Sequence, residues 1–196
     1  MPNQTLAVAL ASLLSTAANA ATPRDLGDRG VLVPLGTFAL TYTKTDDSTT
    51  ASGRTLTTVV FAPGLLYFVI DDLAVGGNLV LASSSVGDGT PARTTVGLGP
   101  EVAYHVRFTE MWSLLPSVSL DLTRDAVPNG PTTTADITNL AVSLYVPVLL
   151  RVSHFYMGFG PTFSRDLYAH ATVQGTGLDV APNTRIGIST TLGGWL

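Results

Sequence analysis

The stretch FAPGLLYFVIDDLAVGGNLVLA (residues 61–82) is as long as a membrane-spanning helix, and its reading decides the fold. Its eleven Leu, Ile, Val and Phe residues favour insertion by about 0.3–0.6 kcal/mol each, while Asp71 and Asp72 at the centre cost roughly 2.5–3.5 kcal/mol each. The two sums nearly cancel before Pro63, Gly64, Gly76, Gly77 and Asn78 count against a helix. With period two the stretch makes sense. Asp71-Asp72 is a turn between two strands, and Leu73, Val75, Leu79 and Leu81 share one face of the second. The segment is a hairpin.

The same alternation continues along the chain. Val96, Leu98, Val102, Tyr104, Val106 and Phe108 share a face, opposite Gly97, Gly99, Glu101, Ala103, His105 and Arg107. Trp112, Leu114, Val118, Leu120 and Leu122 form another apolar row, as do Leu140 to Leu150 at every second residue. Period-two patterning of this regularity specifies strands. Eight are expected, at about 33–44, 56–70, 73–84, 93–108, 111–123, 138–151, 154–166 and 184–196. Long polar connections (45–55, 85–92, 124–137, 167–183) alternate with tight turns at Asp71-Asp72, Thr109-Glu110 and Val152-Ser153. This is the layout of an all-β, eight-stranded antiparallel up-and-down transmembrane β-barrel.

Composition agrees. Hydrophobic residues make up 45% of the 196 and charged residues only 12%, with one lysine, Lys44, against nine arginines. A soluble surface normally carries about twice that charge. The net charge of −4 gives no basic face for nucleic acid. The absence of cysteine excludes disulfides, thiolate metal sites and a cysteine nucleophile. The apolar run LAVALASLL (6–14) before Ala18-Asn19-Ala20 fits a signal peptide over 1–20, leaving 21–196 as the barrel domain, although MPNQ lacks the usual positive charge. A retained apolar helix is the alternative.

Polarity separates a membrane barrel from a soluble ligand-binding one. The apolar face carries the large side chains and the other mostly Gly, Ala, Ser and Thr, which suit a narrow lumen; lipid is therefore expected outside. Tyr67, Tyr104, Phe108, Trp112, Phe155 and Tyr156 are expected as interfacial aromatics near the short turns.

With its Pro, Tyr-Phe, Asp turn and Leu-Ala-x-Gly, the segment FAPGLLYFVIDDLAVGGNL resembles porin-family outer-membrane beta-barrel sequences of the OmpX, OmpW and OmpA transmembrane-domain type. The last strand, with Ile188, Leu192 and Leu196 on one face, is similar to the signal read by the barrel-assembly machinery, departing from it by ending in Leu rather than Phe. The resemblance implies a bacterial outer-membrane location, outer-membrane lipid and that machinery as partners, and termini in the periplasm.

Pro63, Pro100, Pro116, Pro147 and Pro161 fall inside strands, so bulges or missing ladder bonds are expected there. The inward face carries Glu101, His105, Arg107, Asp121, Tyr145, Arg151 and Arg185, read as a lumen polar network of paired charges rather than an active site. Glu101 and His105, four residues or about 13 Å apart along one strand, cannot bond each other. Ser164, Asp166 and His170 are the only grouping that could imitate a lipid-modifying acyl-transfer barrel, with His170 expected in a loop. The histidines lack metal-ligand spacing, so no metal and no cofactor are expected. The expected function is non-enzymatic: a structural or surface-interaction role through four loops, with a narrow solute channel as the alternative.

Overall fold

The computed structural model describes residues 24–45, 54–86, 92–128, 134–173, 176–179 and 184–196. The proposed signal peptide, 1–20, lies outside these residues. Twelve strand segments form one antiparallel sheet: β1 (Leu32–Thr45), β2 (Arg54–Ile70), β3 (Leu73–Val86), β4 (Arg93–Tyr104), β5 (Val106–Arg107), β6 (Trp112–Leu114), β7 (Ser117–Pro128), β8 (Thr134–Tyr145), β9 (Val148–Val152), β10 (Phe155–Val173), β11 (Thr176–Asp179) and β12 (Thr184–Gly194). Taken as continuous staves (β4 with β5, β6 with β7, β8 with β9, β11 with β12), they make a ring of eight. The ring closes where β12, paired to β10, also pairs with β1.

The opening hairpin is present. Ile70 pairs with Leu73, Tyr67 with Val75 and Phe61 with Leu81. Asp72 takes the positive φ of 64° that the tight turn needs, which short polar side chains tolerate. Ser153 does the same, at 55°, in the turn before β10. In the turn after β5, the Thr109 hydroxyl accepts the backbone N–H groups of Met111 (3.3 Å) and Trp112 (3.0 Å).

The prolines interrupt the ladder in two ways. At Pro116 and Pro147 the strand itself breaks, separating β6 from β7 and β8 from β9. Backbone bonds bridge both gaps, from Tyr104 N to Pro116 O (2.9 Å) and from Leu115 N to Pro147 O (3.2 Å). Beside Pro63 and Pro100 the strands continue but the pairing skips, from Phe61 to Gly64 and from Leu98 to Glu101. The two register shifts lie elsewhere, at Val69 and Leu167.

Three expectations on extent are corrected. β7 continues to Pro128 and β8 begins at Thr134, so the connection expected over 124–137 is much shorter. β10 runs to Val173 and pairs with β11, so most of 167–183 is a hairpin extension. His170 therefore lies in a strand, paired with Thr138 and Asp179.

The large apolar residues face outward around the ring: Leu40 on β1, Phe61 on β2, Leu79 on β3, Leu98 on β4, Leu120 on β7, Leu144 on β8, Phe159 on β10 and Ile186 on β12 are all exposed. Leu98 is 60% and Ile186 80% accessible. Inside lie Ala74, Ala103, Ala141, Ser117, Ser119, Ser189 and Thr191, small residues that eight staves can enclose. The conventional apolar core sits at the short-turn end, where Leu26, Val31, Val33, Leu66, Phe68, Leu149, Tyr156 and Trp195 pack together.

Candidate functional site: a plugged lumen

Residues Arg24 to Val31 fold into the mouth of the barrel at the short-turn end. Two tight local bonds shape the segment, Asp28 N to Asp25 O (3.1 Å) and Val31 N to Asp28 O (3.2 Å), and Asp25 N donates to Asp28 Oδ2 (2.7 Å). Gly27 turns the chain at φ 103°, and a Cβ there would stand 2.5 Å from His105 Nδ1. Only glycine satisfies both conditions. Leu26 is thereby driven fully out of solvent into the apolar core.

The barrel holds this plug by charge and backbone. Asp25 receives Arg107 at 3.0 Å on Oδ2 and Arg151 at 3.0 Å on Oδ1. Arg107 also donates to Leu26 O (3.1 Å), and Arg151 to Thr109 O (2.8 Å). The first tight turn contributes through Asp72 N to Gly27 O (2.7 Å) and Arg29 N to Asp71 Oδ1 (3.0 Å). Trp195 Nε1 donates to Arg24 O (3.2 Å). The His105 ring, wholly buried against the edge of Phe68, meets Asp72 Oδ1 at 3.2 Å through Nδ1.

Farther up the lumen the polar residues separate into groups. Asp121 accepts Ser119 Oγ (2.8 Å) and Ser143 Oγ (2.7 Å), both on Oδ2. Glu101, also buried, lies among Ser117, Asn78 and Asp121. Tyr145 donates to Ser189 O (3.2 Å). Asp125 gathers Arg93, Thr95 and Asn139. Arg185 grips Asp166 with two parallel bonds of 3.0 and 3.1 Å. The expected lumen residues are thus not one network: His105, Arg107 and Arg151 belong to the plug, Glu101 and Asp121 to the middle, and Arg185 to the upper lumen.

Most of the charged partners were not among the expected residues. Asp125, Arg93 and Thr95 share the inward parity of Asp121 and Glu101, so alternation alone could have found them. Asp25 and Asp72 carry no such signal, because one lies outside the strands and the other in a turn.

Of the six expected interfacial aromatics, Tyr67, Tyr104, Phe108, Trp112 and Phe155 are exposed. Tyr156 is corrected: at 3% exposure it points inward, as alternation from Phe155 requires. Ile188, Leu192 and Leu196 are all exposed on one face, and Leu196 exchanges backbone bonds of 3.0 and 3.2 Å with Leu32.

Ser164, Asp166 and His170 do not come together. The register shift at Leu167 changes the parity of β10, so Asp166, Ala169 and Ala171 are buried while His170 stacks on exposed Tyr168 at 6.1 Å. Among the described residues no three His, Asp or Glu side chains converge on a metal-sized site.

The fold and its interior define an all-β antiparallel barrel, apolar outside, polar within and plugged at one end. No family model matches the chain, and no curated protein matches it. Among solved structures it is similar to the translocator domain of the autotransporter NalP from Neisseria meningitidis, at 9% identity and a TM-score of 0.41. The match covers 94% of this chain and 65% of that one, so the chain spans about two thirds of its length.

Proposed function

We propose that the chain is an integral bacterial outer-membrane β-barrel protein whose role is structural or surface-interacting, exercised through the four connections at the end opposite the plug. The observation that carries this reading is the polarity of the wall. Large apolar side chains stand exposed on every stave while serines, alanines and paired charges face inward. In water each such side chain forgoes about 1.5–3 kcal/mol of burial, and a monomer rarely exposes so wide an apolar surface. In lipid the same surface is the solvated one, and ring closure satisfies the backbone.

Tyr67, Tyr104, Phe108, Trp112 and Phe155 then form the interfacial girdle, and Ile188, Leu192 and Leu196 the face offered to the barrel-assembly machinery. The plug favours the structural reading over a solute channel, since Leu26 and the Asp25 ion pairs occupy the short-turn end. The separation of His170 from Ser164 and Asp166 speaks against acyl transfer.

Fractionation followed by electrophoresis with and without boiling tests the proposal. A protein of the outer-membrane fraction that migrates faster unboiled supports it. A soluble protein with no heat-dependent shift overturns it.

A further inference from the structure

The ring closes over only part of its last seam. From the short-turn end, β1 and β12 are bonded from Leu32–Leu196 up to Phe38–Thr190, and among the described residues their pairing stops there. Both strands continue. β1 stays paired with β2 as far as Thr45–Arg54, and β12 with β10 as far as Thr184–Arg165. Residues 39–45 of β1 and 184–189 of β12 therefore carry edges that are held firmly on one side and unpaired on the other.

The surroundings mark the same boundary. In the paired half a Cβ at Gly193 would stand 2.7 Å from Pro34 O of β1, whereas at Gly187 it would meet only Thr162 Oγ1 of β10, on the far side. Residues 184–188 are exposed on both faces of the strand. The most exposed large apolar side chains among the described residues, Ile186 (80%), Ile188 (74%) and Leu40 (72%), border this stretch. Ser189 O, one residue beyond the last pair, accepts the Tyr145 hydroxyl from the lumen at 3.2 Å. Water would hydrate such edges, but in lipid their N–H and C=O groups need partners.

We propose that a second copy of this chain supplies those partners. An acyl chain offers no hydrogen bonds, and a single inserted strand would run antiparallel to one edge but parallel to the other. A copy related by a two-fold axis along the barrel presents its β12 edge to β1 and its β1 edge to β12. Both contacts are then antiparallel, and both copies keep one orientation in the membrane. The register is the one the chain already uses within itself. Extended two residues beyond Phe38–Thr190, it sets Ala39 against the second copy's Ser189 and Leu40 against the second copy's Ile188. Leu40 and Ile188 stay on the outer face, continuous with the rest of the apolar wall.

The inference rests on the membrane reading, but the two fail differently: a heat-shifting barrel that stays single sinks only the pairing of copies. The chain has no cysteine, so introduced thiols report alone. Opposed residues of antiparallel strands lie about 4.5–5.5 Å apart between Cα atoms, within reach of a disulfide. Leu40→Cys and Ile188→Cys chains are folded together in lipid vesicles and oxidised. A linked species of twice the chain mass is expected from the mixture and from neither variant alone. Leu98→Cys, exposed on the wall away from the seam, should give none with Ile188→Cys. Three outcomes would overturn the proposal: no linkage, equal linkage with Leu98→Cys, or linkage within one chain when both thiols are on it. Should a cysteine variant fail to fold, the unaltered chain decides: its mass in detergent is expected to be that of two chains, and that of one chain would contradict the pairing.

Discussion

Asp25 and Arg151, 126 residues apart in the chain, meet at 3.0 Å at the short-turn end of the barrel. The arginine is almost wholly buried and the aspartate a little under half exposed. Removing the carboxylate strands a buried guanidinium with only Thr109 O as its remaining named partner. A fully buried partner would cost about 3–5 kcal/mol, and the exposure of Asp25 reduces the expected loss for Asp25→Ala to about 1–3 kcal/mol. Arg124→Ala, breaking the solvent-exposed pair with Asp136, should leave the unfolding midpoint unchanged. Denaturant titration of the folded barrel measures both.

Leu26 is the apolar stopper of the same mouth. Leu26→Ala should destabilise by about 2–5 kcal/mol, as for other buried leucines. Loss of the stopper should also raise ion flow. In planar bilayers the intact chain is expected to be silent, and a variant lacking residues 24–30 to conduct. Steady conductance by the intact chain would favour the channel reading instead.

Gly27→Ala places a side chain at φ 103° and against the His105 ring. Backbone strain alone is worth about 1–3 kcal/mol. The expected result is a lowered unfolding midpoint with the barrel still closed, because only the plug is displaced.

The two faces of β7 should respond oppositely to charge. Leu120 faces outward on a strand whose neighbours Ser119 and Asp121 face in. Leu120→Arg should cost about 2–4 kcal/mol if the wall is in lipid at mid-depth. In a water-soluble barrel the same change would be neutral or helpful, so folding of this variant into lipid vesicles separates the two.

The wall of the barrel was legible because strand alternation is a local property. Leu98 beside Gly97 and Gly99, or Leu120 between Ser119 and Asp121, fixes a face without any tertiary information. The tight turns were legible for the same reason, through Asp71-Asp72. His170, expected in a loop, lies in β10 beyond the register shift at Leu167. The end of β10 was hidden because Ala169 and Ala171 are weak strand formers. The plug was illegible for a different reason: Asp25, Leu26 and Gly27 acquire their roles only from Arg107, Arg151 and His105, which approach from distant staves.

The most direct measurement of the central claim uses the two tryptophans. Trp112 is exposed on the outer wall and Trp195 is buried at the plugged end, so Trp195→Phe leaves a single reporter on the outside. With the folded variant in vesicles, brominated lipid tails and aqueous iodide are compared as quenchers. Strong quenching by the lipid and weak quenching by iodide is the result expected of a wall solvated by the bilayer. Quenching by iodide alone, with the barrel folded, would contradict it.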